Sequence, residues 1–159
     1  MEKIRVMHYI NQFFAGIGGE EKADAPVDFK RGPVGPGRRL QALLGDRAEI
    51  VVTAYCGDNY FPKHQESVLE SILSMAKEDN VEMVIAGPAF NAGRYGFACI
   101  GVCHFLSASM GCYCVTGMNE MNPALEGYRQ FKDRKVFAVP TGESTGSMED
   151  RIESTMRSI

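Results

Sequence analysis

Short apolar blocks alternate along the chain with longer stretches in which apolar positions recur at helical spacing. Residues 4–10 (IRVMHYI), 48–55 (AEIVVTAY), 81–86 (VEMVIA), 112–116 (CYCVT) and 135–139 (KVFAV) have the length and β-branched content of buried strands. A helix is expected to start near residue 37 and to carry Leu40, Leu43 and Leu44. Over residues 62–80, Val68, Leu69, Ile72, Leu73 and Ala76 share one face, with Pro62 near the first turn, where its missing N–H costs little. Residues 95–110 are apolar or small nearly all round, which predicts a deeply buried helix. Residues 123–131 read as a short helical or irregular piece. A closing helix is expected over residues 147–159, with Met148, Ile152, Met156 and Ile159 as its stripe and Ser147 and Asp150 spaced as a capping box.

This alternation predicts an α/β class fold: a three-layer, flavodoxin-like or Rossmann-like single domain over residues 1–159, with an about five-stranded parallel sheet joined by right-handed crossovers. Ligands of such sheets bind outside the carboxyl ends of the strands, at the topological switch point. Each predicted strand here opens at its carboxyl end into a polar, glycine-containing loop, starting near residues 11, 56, 87, 116 and 141. One rim of the sheet therefore holds the candidate chemistry. The stretch 11–38 is too long to be a mere connector.

Composition narrows the classes. A chain of 159 residues can bury a real core as one domain, and its net charge of −3 gives no surface for nucleic acid. No apolar run reaches the length of a membrane span, and the first residues, MEKIR, lead straight into a strand pattern; a cytoplasmic location is expected. The five cysteines, at 56, 99, 103, 112 and 114, form neither a Cys-x-x-Cys motif nor a small-scaffold pattern. They read as reduced, buried thiols, and with His8, His64 and His104 scattered, no metal site is expected.

Three groups on the rim carry chemistry. Residues 87–94 lead from strand to helix, so that Gly87 to Gly93 backbone N–H groups could hold an anion, with Asn91 alongside and the Arg94 guanidinium forking onto a carboxylate. The plainer alternative is an ordinary turn with a surface arginine; the spacing is not that of a Walker phosphate loop. Asp58 and Asn59 could bind an amine or simply cap a turn. Glu20 and Glu21, after Gly18 and Gly19, offer acid/base or amine-binding groups, or a solvated charged run. The stretch 141–146 (TGESTG) resembles a phosphate cradle in composition and equally a helix lead-in.

The segments MHYINQFFAG (7–16), GGEEKAD (18–24), GPVGPGR (32–38), CGDNYF (56–61), AGPAFNAGRYG (86–96), VTGM (115–118) and PTG (140–142) closely resemble the amino-terminal part of the large selenoprotein subunit of component B of the glycine/sarcosine/betaine reductases. The resemblance implies an anaerobic reductive deamination in which the substrate's C–N bond is cleaved and the carbon fragment ends as acetyl phosphate. It also implies a selenocysteine, a pyruvoyl group on a partner subunit and a small selenoprotein carrier. The family's selenocysteine lies downstream of these motifs, so the chain is expected to be an N-terminal domain without its own catalytic nucleophile, inactive alone and needing no cofactor of its own.

Such a domain is expected to position substrate and to dock partners. Glycine, sarcosine and betaine pair a carboxylate with a nitrogen centre, so Arg94 and the 87–93 backbone would take the carboxylate. Asp58, Glu20 or Glu21 would take the amine, with Tyr60, Phe90 or Tyr95 as walls. Two alternatives stand beside this: a structural docking module whose 11–38 loop meets a partner, and a flavodoxin-like carrier of a small ligand. Self-association through the 95–110 or 147–159 helix would make a homo-oligomer.

Overall fold

The computed structural model describes residues 2–130, 134–141 and 146–159. Its strands are β1 (Ile4–Asn11), β2 (Asp28–Arg31), β3 (Ala48–Cys56), β4 (Met83–Phe90), β5 (Tyr113–Met118) and β6 (Val136–Pro140). Its helices are α1 (Gly37–Leu44), α2 (Tyr60–Lys63), α3 (Gln65–Glu78), α4 (Gly93–Met110), α5 (Ala124–Gln130) and α6 (Gly146–Met156). One six-stranded sheet has the order β2-β3-β1-β4-β5-β6. The five strands β3, β1, β4, β5 and β6 are mutually parallel, as the alternation predicts.

The sixth strand corrects the sequence expectation. β2 lies inside the 11–38 stretch and pairs antiparallel with β3, from Asp28 opposite Tyr55 to Arg31 opposite Val52. Its four residues, mostly exposed, carry no hydrophobic alternation, and an edge strand with one partner and little burial leaves a weak trace in sequence. A 3₁₀ turn at Glu20–Lys22 occupies the same stretch.

Other boundaries move for similar reasons. β4 runs on through Gly87, Pro88 and Ala89 to Phe90, so half of the expected 87–94 loop is strand, with a cis Gly87–Pro88 peptide and left-handed φ at Gly87 and Phe90. β5 continues through Gly117 to Met118, pairing with Phe90 of β4 and Pro140 of β6. Pro62 sits in the separate turn α2 and not in the first turn of α3. α6 begins at Gly146, which places Ser147 inside the helix rather than at its cap. Residue 131 of the expected 123–131 piece, and 142–145 of the 141–146 loop, lie outside the described residues.

Strand alternation sends side chains to two cores. Met7 and Tyr9 of β1, Val84 and Ala86 of β4 and Cys114 of β5 pack under α3, α4 and α5 against Val68, Ile72, Ala98, Val102 and Leu106. Val6, Ile50, Ile85 and Val115 pack on the opposite face against Leu44, Met148, Ile152 and Met156 of α1 and α6. α4 buries residues all round, from Tyr95 to Ser107, which fits a helix wedged between the sheet and its neighbours α3 and α5. The strand order reverses at β1, with β3 on one side and β4 on the other, so the switch point lies between the carboxyl ends of β1 and β4.

Candidate functional site

The site is built from the ends of β1 and β3 and the start of α4. β1 ends in Asn11 and is followed by Gln12, both nearly fully buried although polar. The Asn11 amide donates to Asp58 Oδ2 at 3.1 Å, and its carbonyl oxygen accepts from the Phe14 N–H at 3.0 Å. Gln12 Oε1 accepts from the Asp58 backbone N–H at 3.0 Å, while its amide donates to the Gly19 carbonyl at 3.3 Å. These two amides fasten the loop after β1 to the loop after β3.

Above this buried layer lies a charged one. Arg94, on the first turn of α4, donates from Nη2 to Glu20 Oε2 at 2.8 Å and from Nη1 to Asn59 Oδ1. Glu20 thereby sits below the usual carboxylate range, chiefly through that hydrogen bond, and Arg94 is held firmly charged. Asp58 moves the other way. Burial raises it, against the opposing hydrogen bond from Asn11 and the Arg94 charge, and its Oδ1 finds no hydrogen-bond partner among the described residues. Two carboxylates on one rim are thus pushed apart, one exposed and firmly ionised, the other buried and costly to ionise.

Gly57 makes the close approach possible. Its N–H donates to the Ala25 carbonyl at 2.8 Å, and a Cβ there would press into the Ala23 carbonyl and lie 2.7 Å from Ala25 N. The Ala23 carbonyl also accepts from the N–H groups of Asn59 and Tyr60 at 2.8 and 3.1 Å. The 11–38 stretch is therefore folded onto its own sheet, with Glu20 delivered to Arg94.

The sequence candidates divide accordingly. Arg94, Glu20, Asn59 and Asp58 converge. Glu21 instead accepts from the Gly19 N–H at 3.0 Å, and Asn91, exposed before α4, takes no part in the network. Tyr60 is half-buried and stacks on His64 at 4.1 Å between ring centroids. Tyr95 cannot serve as an accessible wall: it is fully buried beneath the rim, against Tyr9 and Phe14. The Gly87 carbonyl points to the opposite side of the sheet, where it accepts from His8 Nε2 at 2.8 Å; Gly93 opens α4. Asn11 and Gln12 were not singled out in the sequence, although a polar pair closing an apolar strand is their signal.

All five cysteines are buried without disulfides. Burial pushes the Cys56 thiol up to about 12, Cys112 to about 11 and Cys99 well upward, which is the reverse of what a nucleophilic thiolate needs. Among the described residues no cluster of His, Cys, Asp or Glu is arranged to hold a metal, and no helix is long and apolar enough to cross a membrane.

Fold and rim together define a doubly wound α/β domain with an arginine and two dissimilar carboxyl groups beside its switch point. The family model for glycine/sarcosine/betaine reductase selenoprotein B (GRDB) matches residues 3–159, and the chain belongs to that family. It is 48% identical over 152 residues to the glycine reductase complex component B subunit gamma of Carboxydothermus hydrogenoformans, covering 96% of this chain and 34% of the relative. It is 45% identical over 152 residues to the sarcosine reductase complex component B subunit beta of Peptoclostridium acidaminophilum, with the same coverage. The betaine reductase complex component B subunit beta of that organism is 34% identical over 146 residues, covering 92% of this chain and 32% of the relative. The chain thus spans about one third of the length of these curated relatives. No solved structure matches it.

Proposed function

We propose that this chain positions the zwitterionic substrate of a glycine, sarcosine or betaine reductase within component B, and docks there to the parts that carry the reacting groups. The observation behind this reading is the Arg94–Glu20 pair. Both partners are substantially exposed, with 45% and 69% of their side-chain surface accessible, and an exposed pair is easily parted. A small amino acid entering between them exchanges one ion pair for two, its carboxylate on the Arg94 fork and its ammonium on Glu20. Asn59 steadies the guanidinium, and Asp58 adds negative potential behind it.

The family's selenol and pyruvoyl group would supply nucleophilic and carbonyl chemistry for C–N cleavage toward acetyl phosphate. No sulfur of this chain fits the first role, since its thiols are buried and those with a shift are raised; the pyruvoyl group belongs to a partner subunit. The chain alone is therefore a binding unit without turnover. In the assembled complex, Arg94→Ala should raise KM about tenfold or more with a smaller change in kcat, as loss of a charged hydrogen-bonding partner does. An unchanged KM would remove the reading.

A docking role has its own observation. Phe13 after β1, Phe97 in the first turns of α4 and Met121 after β5 are 60%, 52% and 78% exposed at the carboxyl end of the sheet, and exposed large apolar side chains at one end of a domain favour protein contact. Phe97→Glu combined with Phe13→Glu should weaken assembly with the pyruvoyl subunit while leaving the fold intact; unchanged assembly would exclude this surface.

A further inference from the structure

On the opposite face of the sheet, over the same switch point, a cavity of about 190 Å³ opens between α1 and α6. Its walls are apolar: Leu40 and Leu43 from α1, Pro88 and Phe90 from the end of β4, Met148 and Ile152 from α6. Apolar cavities of roughly 150 Å³ accept a benzene ring, so this one takes a body of one ring or one branched aliphatic side chain. His8, on the β1 side, brings no charge into it. Burial lowers its pKa to about 4, and Nε2 is already engaged with the Gly87 carbonyl.

Among the described residues, the charged side chains lining the cavity are Arg39 and Glu149, one from each helix. They face each other across 3.8 Å, a long contact, with the Arg39 side chain 86% exposed. A cation and an anion side by side at the mouth of an apolar cavity complement a ligand that carries both signs on one carbon and an apolar group beyond it.

From this juxtaposition we propose a second small-molecule site that takes an α-amino acid with an apolar side chain: the side chain fills the cavity, the carboxylate meets Arg39 and the ammonium meets Glu149. The site is separate from the Arg94 rim, because His8 shares its strand face with Val6 and packs toward α1 and α6, whereas Asn11 follows Met7 and Tyr9 on the other face. Glycine fits the mouth but leaves the cavity empty. Burying a leucine-sized side chain favours the larger ligand by about 10- to 100-fold.

The test is calorimetric titration of the chain with L-leucine, L-phenylalanine, glycine, 3-methylbutanoate and 3-methylbutylamine. L-Leucine or L-phenylalanine should bind at least about tenfold more tightly than glycine and than the two single-charge analogues. Arg39→Gln and Glu149→Gln should each weaken binding about tenfold, and Leu40→Trp, which fills the cavity, should abolish it; Leu43→Phe serves if Leu40→Trp does not fold. Arg94→Ala should leave it unchanged, which separates this site from the substrate reading. Leucine binding no tighter than glycine, equal binding of the single-charge analogues, or binding that survives the filled cavity would overturn the proposal.

Discussion

Glu20 and Arg94, 74 residues apart in sequence, meet at 2.8 Å and close the loop after β1 onto the first turn of α4. The pair is exposed, so its removal should cost function more than stability. Arg94→Ala is expected to shift the urea midpoint little, and Arg94→Lys to leave substrate affinity impaired, because an ammonium cannot reproduce the guanidinium fork that reaches Asn59 and Glu20 together. Equilibrium unfolding and substrate titration on the same variants check both parts; full affinity in Arg94→Lys would show that only the charge matters.

Asp58 stands in the opposite situation. Its carboxyl is raised by burial, and Oδ1 lacks a partner among the described residues, so ionisation works against the fold: stability is lost as pH rises through the carboxylate range toward the raised folded value. Asp58→Asn, which can still accept from Asn11, should be no less stable than the parent at pH 7, with any advantage vanishing below pH 4. Chemical denaturation at pH 7 and at pH 3.5 compares them. A clear loss at pH 7 would mean the charge supports the fold.

His8 gives the acid limb. Its folded pKa of about 4 lies below the ordinary value of 6.5, so the unfolded chain takes up a proton first, and stability falls as pH drops from about 6.5 to about 4, by up to about 3 kcal/mol. His8→Gln should flatten that limb in urea denaturation between pH 7 and 4.5. Parallel pH profiles for parent and variant would assign the loss to other groups.

Gly57 is the tightest junction of the rim. With Ala23 and Ala25 backbone atoms where a Cβ would stand, Gly57→Ala should destabilise by about 2 kcal/mol or more, because backbone must move to admit the methyl group. It should also part Glu20 from Arg94 by shifting the 20–25 segment, so that substrate affinity falls with stability. Thermal unfolding within experimental error of the parent would contradict the close approach.

Much of this architecture was legible in the chain. The apolar blocks of β1, β3, β4 and β5 are buried on both sides, and Val68, Leu69, Ile72 and Ala76 of α3 mark one face of a helix, so both strand and helix periods survive in sequence. β2 did not, because DFKR is an edge strand stabilised by backbone pairing rather than by side-chain burial. Arg94, Glu20, Asn59 and Asp58 could be nominated from their places after strands. Their pairing could not, since it depends on how a 28-residue stretch, 11–38, folds back through Gly57 and Ala23. The cavity between α1 and α6 was invisible for the same reason: its walls come from four segments and no motif joins them.

The most direct measurement is an NMR titration of the chain with glycine, sarcosine and betaine, following the backbone amides of Glu20, Asn59 and Arg94 and the Arg94 guanidinium. Substrate positioning at this rim predicts saturable shifts at those groups with at least one of the three ligands, and their loss in Arg94→Ala. Resonances that stay still for all three ligands, or shifts that persist in Arg94→Ala, would contradict it.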